Sequence, residues 1–179
     1  QQLKYFDSGL MPEEMRNRII REKKTTVYEF VRDPKLYPLA KYLDYADLAL
    51  DRKKRHLKTF TKNLSDDDPV IRYWSVVGLL LLEKQAKPAI ANLKKVLDDQ
   101  DEIPALAAWA IFKAGSEKFA SKWMLDEILE NPEHKMLANV LDWMDQGSFS
   151  ILAQIPDDKL SKRGLLKDVV NRYKVRVLN

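Results

Sequence analysis

Three stretches of this 179-residue chain repeat one another at an offset of about 33 residues, and this recurrence limits the fold more than any other feature. Val70, Ile103 and Met136 fall at equivalent places, as do Ser75, Ala108 and Leu141. Each round runs acidic turn, apolar helix, turn, amphipathic helix. Ser65-Asp66-Asp67-Asp68-Pro69 is a start signal, an acidic or hydroxyl cap with Pro at the first helical position. Val70 to Glu83 is then apolar nearly all round, so it must be covered on both sides. Pro88 opens a second helix with Ile90, Leu93, Val96 and Leu97 on one stripe, ended by Asp98-Asp99-Gln100-Asp101. The second round predicts an apolar helix from Asp101 to Ala114 with Ile103, Leu106, Trp109, Ala110 and Phe112, a turn at Gly115-Ser116, and an amphipathic helix from Glu117 to Glu130 with Phe119, Trp123, Ile128 and Leu129. The third starts at Asn131-Pro132-Glu133, carries Met136, Leu137, Val140, Leu141, Trp143 and Met144, and stops at Gly147. A helix pair of this size cannot bury both faces alone, so such units stack. The expectation is an all-α chain built as an α-solenoid; the alternative is an irregular helical bundle with accidental spacing.

Helical signals also flank the array. Pro12, followed by Glu13 and Glu14, predicts a helix running to about Lys23. Thr26-Val27-Tyr28-Glu29 has the spacing of a capping box, and Asp33-Pro34 breaks the short segment it opens. Pro38 opens a helix with Leu39, Leu43, Ala46 and Leu50 on one face, and a shorter helix follows from about Lys54 to Leu64. After Pro156-Asp157-Asp158, a helix over about Lys162 to Val177 places Leu165, Val169 and Tyr173 four apart, beside Leu166, Val170 and Val177. It is expected to cap the open end of the stack; a strand over Tyr173 to Leu178 is the alternative. The chain thus divides into N-terminal helices (1–64), repeats (65–158) and a capping helix (159–179).

Composition excludes more chemistry than it suggests. With no Cys there is no disulfide framework, zinc-thiolate site or thiol nucleophile, and five Gly leave no material for a phosphate-cradling loop. No apolar run approaches the roughly 18 residues of a membrane span, so no membrane partner is expected. Gln1-Gln2-Leu3-Lys4 forms no signal peptide and includes no initiator Met, and the chain reads as cut from something larger. The net charge of +4 is segregated: 15 Lys/Arg against 9 Asp/Glu in 1–64, 9 against 17 in 65–158, and 7 against 1 in 159–179. An acidic array therefore lies between basic ends, and those ends are the first place to expect contact with another domain.

Candidate sites are few. His56 lies in the basic run Arg52-Lys53-Lys54-Arg55-His56 and reads as solvated. His134 is expected one turn into a helix beside Glu133, and neither His has the company a metal site requires. The carboxylates of Asp66–Asp68, Asp98-Asp99-Asp101-Glu102 and Asp157-Asp158 sit at helix boundaries, where capping and the helix dipole account for them; none has the spacing of a calcium loop. Arg52, Arg55 and Lys62 can share a helical face, as phosphate contacts do, but no reader motif accompanies them; solvated faces or patches meeting an acidic neighbour are favoured. Trp74, Trp109, Trp123 and Trp143 lie on stripes with Leu, Val and Ile and are read as core, not as sugar platforms. No catalytic, cofactor-binding or metal-ligating residue is expected.

Two resemblances add to this reading. Asp67-Asp68-Pro69-Val70-Ile71-Arg72 is similar to the acidic-Pro-apolar-apolar-Arg opening of HEAT-like repeats, and Ala86-Lys87-Pro88-Ala89-Ile90 through Leu97-Asp98-Asp99 resembles their second helix and closing acidic turn. The resemblance implies that Arg72 braces the turn Asp66–Asp68; the second repeat departs from the pattern with Ala105 at that place, and the third is weaker, as an array decaying toward a cap. At the head of the chain, Phe6-Asp7-Ser8-Gly9-Leu10-Met11-Pro12-Glu13 resembles the segment closing the catalytic region in bacterial sulfatases of the heparan N-sulfatase-like type. Thr26-Val27-Tyr28-Glu29, Tyr37-Pro38-Leu39 and Asp44-Tyr45-Ala46-Asp47-Leu48-Ala49 are similar to the stretch linking such domains to a C-terminal HEAT-like array. The family's formylglycine motif, Cys/Ser-x-Pro-Ser-Arg, and its calcium-binding Asp/Asn/His cluster have no counterpart here, so no catalytic or metal residue carries over.

What the resemblance implies is a non-catalytic C-terminal appendage of a periplasmic or secreted sulfatase. Such a module packs on the catalytic domain in cis, shapes its cleft or mediates assembly, and needs no cofactor. The alternatives are a free-standing HEAT-like scaffold for another protein and, least favoured, a nucleic-acid-binding helical repeat of the DNA-repair type.

Overall fold

The computed structural model describes residues 11–99, 103–160 and 164–178, and every regular element among them is helical. The N-terminal helices are α1 (Glu13–Glu22), α2 (Val27–Arg32), α3 (Leu39–Leu50) and α4 (Leu57–Asn63). Then come α5 (Pro69–Leu82), α6 (Ile90–Val96), α7 (Ile103–Lys113), α8 (Glu117–Glu130), α9 (Lys135–Trp143), the single turn α10 (Phe149–Leu152) and α11 (Leu165–Leu178). Short 3₁₀ turns at Lys54–His56, Glu83–Ala89, Asp145–Ser148 and Asp157–Lys159 join several of them. The Phe6–Leu10 part of the sulfatase-like motif, the Asp101-Glu102 part of the acidic turn, and Lys162 lie outside the described residues.

Helix starts follow local chemistry. Thr26 Oγ1 accepts from the Glu29 amide at 3.2 Å, and the Glu29 carboxylate accepts from the Thr26 amide at 3.1 Å, completing the capping box. Those hydrogen bonds, first the one from the Thr26 backbone, hold the Glu29 carboxyl below its ordinary value. Asp68 caps α5 by accepting from the Val70 amide at 3.0 Å, with Pro69 at the first helical position. Pro88 does not start a helix: it sits inside the 3₁₀ turn, and α6 begins two residues later. Gly115, with φ +98°, turns the chain between α7 and α8 in a conformation that L side chains rarely adopt. The third round ends at Asp145 (φ 49°) rather than Gly147.

Packing follows chain order. Helix α5 contacts α3, α4 and α7; α7 contacts α5, α6, α8 and α9; and α9 contacts α11. The odd-numbered helices from α3 onward thus pack successively on one another, while α4, α6 and α8 lie against their neighbours in the chain. Helix α5 buries Val70, Ile71, Trp74, Val76, Leu79, Leu80 and Leu82, as an all-round apolar helix must. Ser75, Ala108 and Leu141, 33 residues apart, are all fully buried. Gly78 permits the close seating of α4: a Cβ there would stand 2.6 Å from the ring of Phe60, itself fully buried.

Two helices are rotated from the expected phase. In α3 the buried face is Tyr42, Ala46 and Ala49, and Leu43 and Leu50 point outward at 42% and 56% exposure. In α8 it is Ala120, Met124 and Ile128, with Phe119 exposed and Trp123 half-buried. The physical reason is shared: small residues on the buried stripe let the backbone approach its neighbour, and larger apolar groups are left at the flanks. In α11, helical through Leu178 instead of a strand, Leu166, Val169 and Val170 are buried while Leu165 and Val177 are exposed.

Candidate interaction surfaces

The acidic turns are tied together by one cation. Arg72 Nη1 donates to the Asp66 carbonyl at 2.9 Å, and its Nε lies 3.9 Å from the Asp99 carboxylate of the next turn. The contact to the Asp66–Asp68 turn is a backbone carbonyl rather than a carboxylate, and Arg72 also spans to the following turn. Asp68 is held from the other side, 3.2 Å from Lys41 Nζ and 3.4 Å from the Tyr42 hydroxyl, which donates to it. Burial, then the Asp68 charge, pushes the Tyr42 hydroxyl up.

Beside the second of these turns, Asp98, Asp99, Trp123, Glu127, Asn131 and His134 are among the residues lining an open cleft of ≈ 450 Å³. His134 is not within a helix but at the N-cap of α9, where its Nδ1 accepts from the Leu137 amide at 3.2 Å. Part of the charge at each end of the basic–acidic–basic pattern turns inward on the chain itself. At the head, Asp51 gathers Lys53 Nζ at 2.7 Å, Arg55 Nη2 at 2.8 Å and His56 Nε2 at 2.9 Å. Hydrogen bonds from Lys53 and His56 bring its carboxyl down to about 2. His56 is therefore an enclosed partner of Asp51, its ring beside Phe60, and not a solvated residue. The chain reverses at Arg52 (φ 51°), which brings position 51 to position 56. Arg52 lies outside the helix and Arg55 turns to Asp51, so the shared face expected of Arg52, Arg55 and Lys62 does not form.

At the tail, Arg172 pairs with Asp142 at 3.0 Å, Lys174 with Asp157 at 2.9 Å, and Arg176 with Asp145. These cations of α11 meet the acidic end of the repeat region, so part of this basic patch has an acidic neighbour within the chain itself. Each pair is solvent-accessible and individually weak.

Of the four Trp, Trp74 is buried, Trp109 and Trp123 are half-buried, and Trp143 is 54% exposed, tilted against Trp109 at 6.4 Å between ring centroids. The reading of all four as core fails for Trp143, because α9 buries Leu137, Val140 and Leu141 on the opposite stripe. Among the described residues, no three His, Asp or Glu side chains converge as metal ligands, and no helix is long and apolar enough to cross a membrane. No known protein family, curated protein or solved structure matches the chain.

Proposed function

We propose that this chain is a HEAT-like α-solenoid module that works by presenting surfaces to a partner rather than by catalysis. The observation that carries the reading is the chain-order packing of α3, α5, α7, α9 and α11, with α4, α6 and α8 beside them. Such nearest-neighbour stacking is how repeat proteins build extended binding surfaces. The link that Arg72 makes between two successive acidic turns, and the equivalent burial of Ser75, Ala108 and Leu141, support it. In this account the module serves a periplasmic or secreted sulfatase as its C-terminal appendage, packing on the catalytic domain in cis. That assignment rests on the resemblance carried by residues 6–49.

The full reading frame tests the assignment. A catalytic domain with a Cys/Ser-x-Pro-Ser-Arg motif upstream is the expected result, and a start codon immediately before Gln1 would contradict it. Catalysis is tested separately. The purified chain should not hydrolyse an aryl sulfate, and turnover that follows the protein through purification would overturn the non-catalytic reading.

A further inference from the structure

The positive charge left after the internal ion pairs is concentrated on two adjacent elements. Residues 52–64 hold six Lys/Arg and no Asp or Glu, and residues 83–97 hold four Lys and a single acid, Glu83, which is 3.5 Å from Lys113. The 3₁₀ turn Glu83–Ala89 packs against α4, and α6 continues from it. Lys58 and Lys62 lie one turn apart on α4, about 6 Å along its axis, and Lys54 lies one turn before them. Lys84 and Lys87 form a second row on the 3₁₀ turn that packs against α4, and Lys95 lies on α6, which continues from that turn. All six are exposed, and none forms an ion pair among the described residues.

We propose that this lysine face docks the phosphate backbone of duplex nucleic acid, an inference independent of the sulfatase assignment. The face is made of flexible point charges; no large apolar residue within 52–64 or 83–97 is exposed, and the nearby exposed ring, Phe119, is covered by Lys94 Nζ at 3.8 Å from its centroid, so the exposed apolar centre around which protein interfaces are built is missing from these segments. The same lack of exposed rings in residues 52–64 and 83–97 removes the stacking that single strands depend on. A duplex, with one negative charge per about 1.7 Å of its axis, can engage both rows together through backbone contacts alone. Binding is therefore independent of sequence and steeply dependent on salt.

The test is fluorescence anisotropy of the full chain with a random-sequence 20-base-pair duplex. If about five lysines are engaged, affinity falls about 500-fold between 50 and 200 mM salt, a log–log slope near −4.5. Lys58→Gln/Lys62→Gln/Lys87→Gln should reduce that slope by about 2.7 while leaving the thermal midpoint in place. Arg172→Gln/Lys174→Gln, which removes cations already paired with Asp142 and Asp157, should leave the slope unchanged. Three results each overturn the proposal: no binding at 50 mM salt, an unaltered slope in the triple variant, or equal affinity for heparin or poly-glutamate of matched charge.

Discussion

Gly78→Ala isolates the packing of α4 on α5. In most helix interiors this substitution stabilises by up to about 1 kcal/mol, because Ala surrenders less backbone entropy than Gly. Here the new methyl carbon would lie 2.6 Å from Phe60 Cε2 and Cζ and 2.8 Å from Cδ2. Comfortable carbon contacts begin near 3.5 Å, so the ring must retreat by about 1 Å. Phe60 is fully buried and its ring is rigid, so α4 must move with it. Overpacking of this kind costs about 1–3 kcal/mol, which outweighs the propensity gain and leaves a net loss of about 1–2 kcal/mol. For a chain of this length the thermal midpoint should fall by about 2–8 °C, and the urea midpoint should drop with an unchanged slope. In a Phe60→Leu background the clash is relieved, and Gly78→Ala should cost at least about 1 kcal/mol less than in the wild type. A higher midpoint for Gly78→Ala alone, or the same change in both backgrounds, would refute the reasoning.

Other perturbations separate the remaining contacts. Asp51 titrates at about 2 in the fold against 3.8 ordinarily, so its stabilising contribution is complete above pH 3.8 and is lost as pH falls toward 2; Asp51→Asn should flatten the pH dependence of the unfolding midpoint in that window, and an unchanged profile would contradict the cluster around it. Trp74→Ala should cost about 3–5 kcal/mol in urea unfolding, and Trp143→Ala under about 1 kcal/mol, since only the first is buried; equal losses would mean that the two environments are misassigned. Arg72→Met keeps the aliphatic stem but removes the link between turns, for an expected loss of about 1–3 kcal/mol by the same measurement; a neutral result would leave the two turns independently held.

Element type was legible in the sequence because the signals were local. Asp68-Pro69 start α5 by cap chemistry, Thr26 and Glu29 satisfy each other's amides, and apolar residues on every side of Val70–Leu82 required a buried helix. Helix phase was less legible. Helices α3 and α8 carry apolar residues on more than one stripe, and periodicity alone does not select which one turns inward. Closeness of approach decides it, at Ala46, Ala49 and Ala120, and that is a property of the neighbouring helix. Charge pairing was the least accessible. The left-handed residue Arg52 brings Asp51 to His56, and α11 reaches back across about thirty positions to Asp142 and Asp145. Neither contact has a signature in spacing. Of the six exposed lysines, Lys54 lay in the basic run read from the sequence and Lys62 close to it, whereas Lys84, Lys87 and Lys95 were hidden within the acidic block; only removing Arg55 and the α11 cations as internally paired made the set stand out.

The central claim is a stack in which each helix is held by its chain neighbours, with α5 and α7 enclosed on most sides. Native-state hydrogen exchange, resolved by residue, tests it directly. Amides of α5 and α7 should exchange slowest, at rates approaching global unfolding, with protection falling outward through α3 and α9 to α2 and the end of α11. Protection as high in α2 or α11 as in α5, or α5 exchanging ahead of its neighbours, would contradict the stacked arrangement.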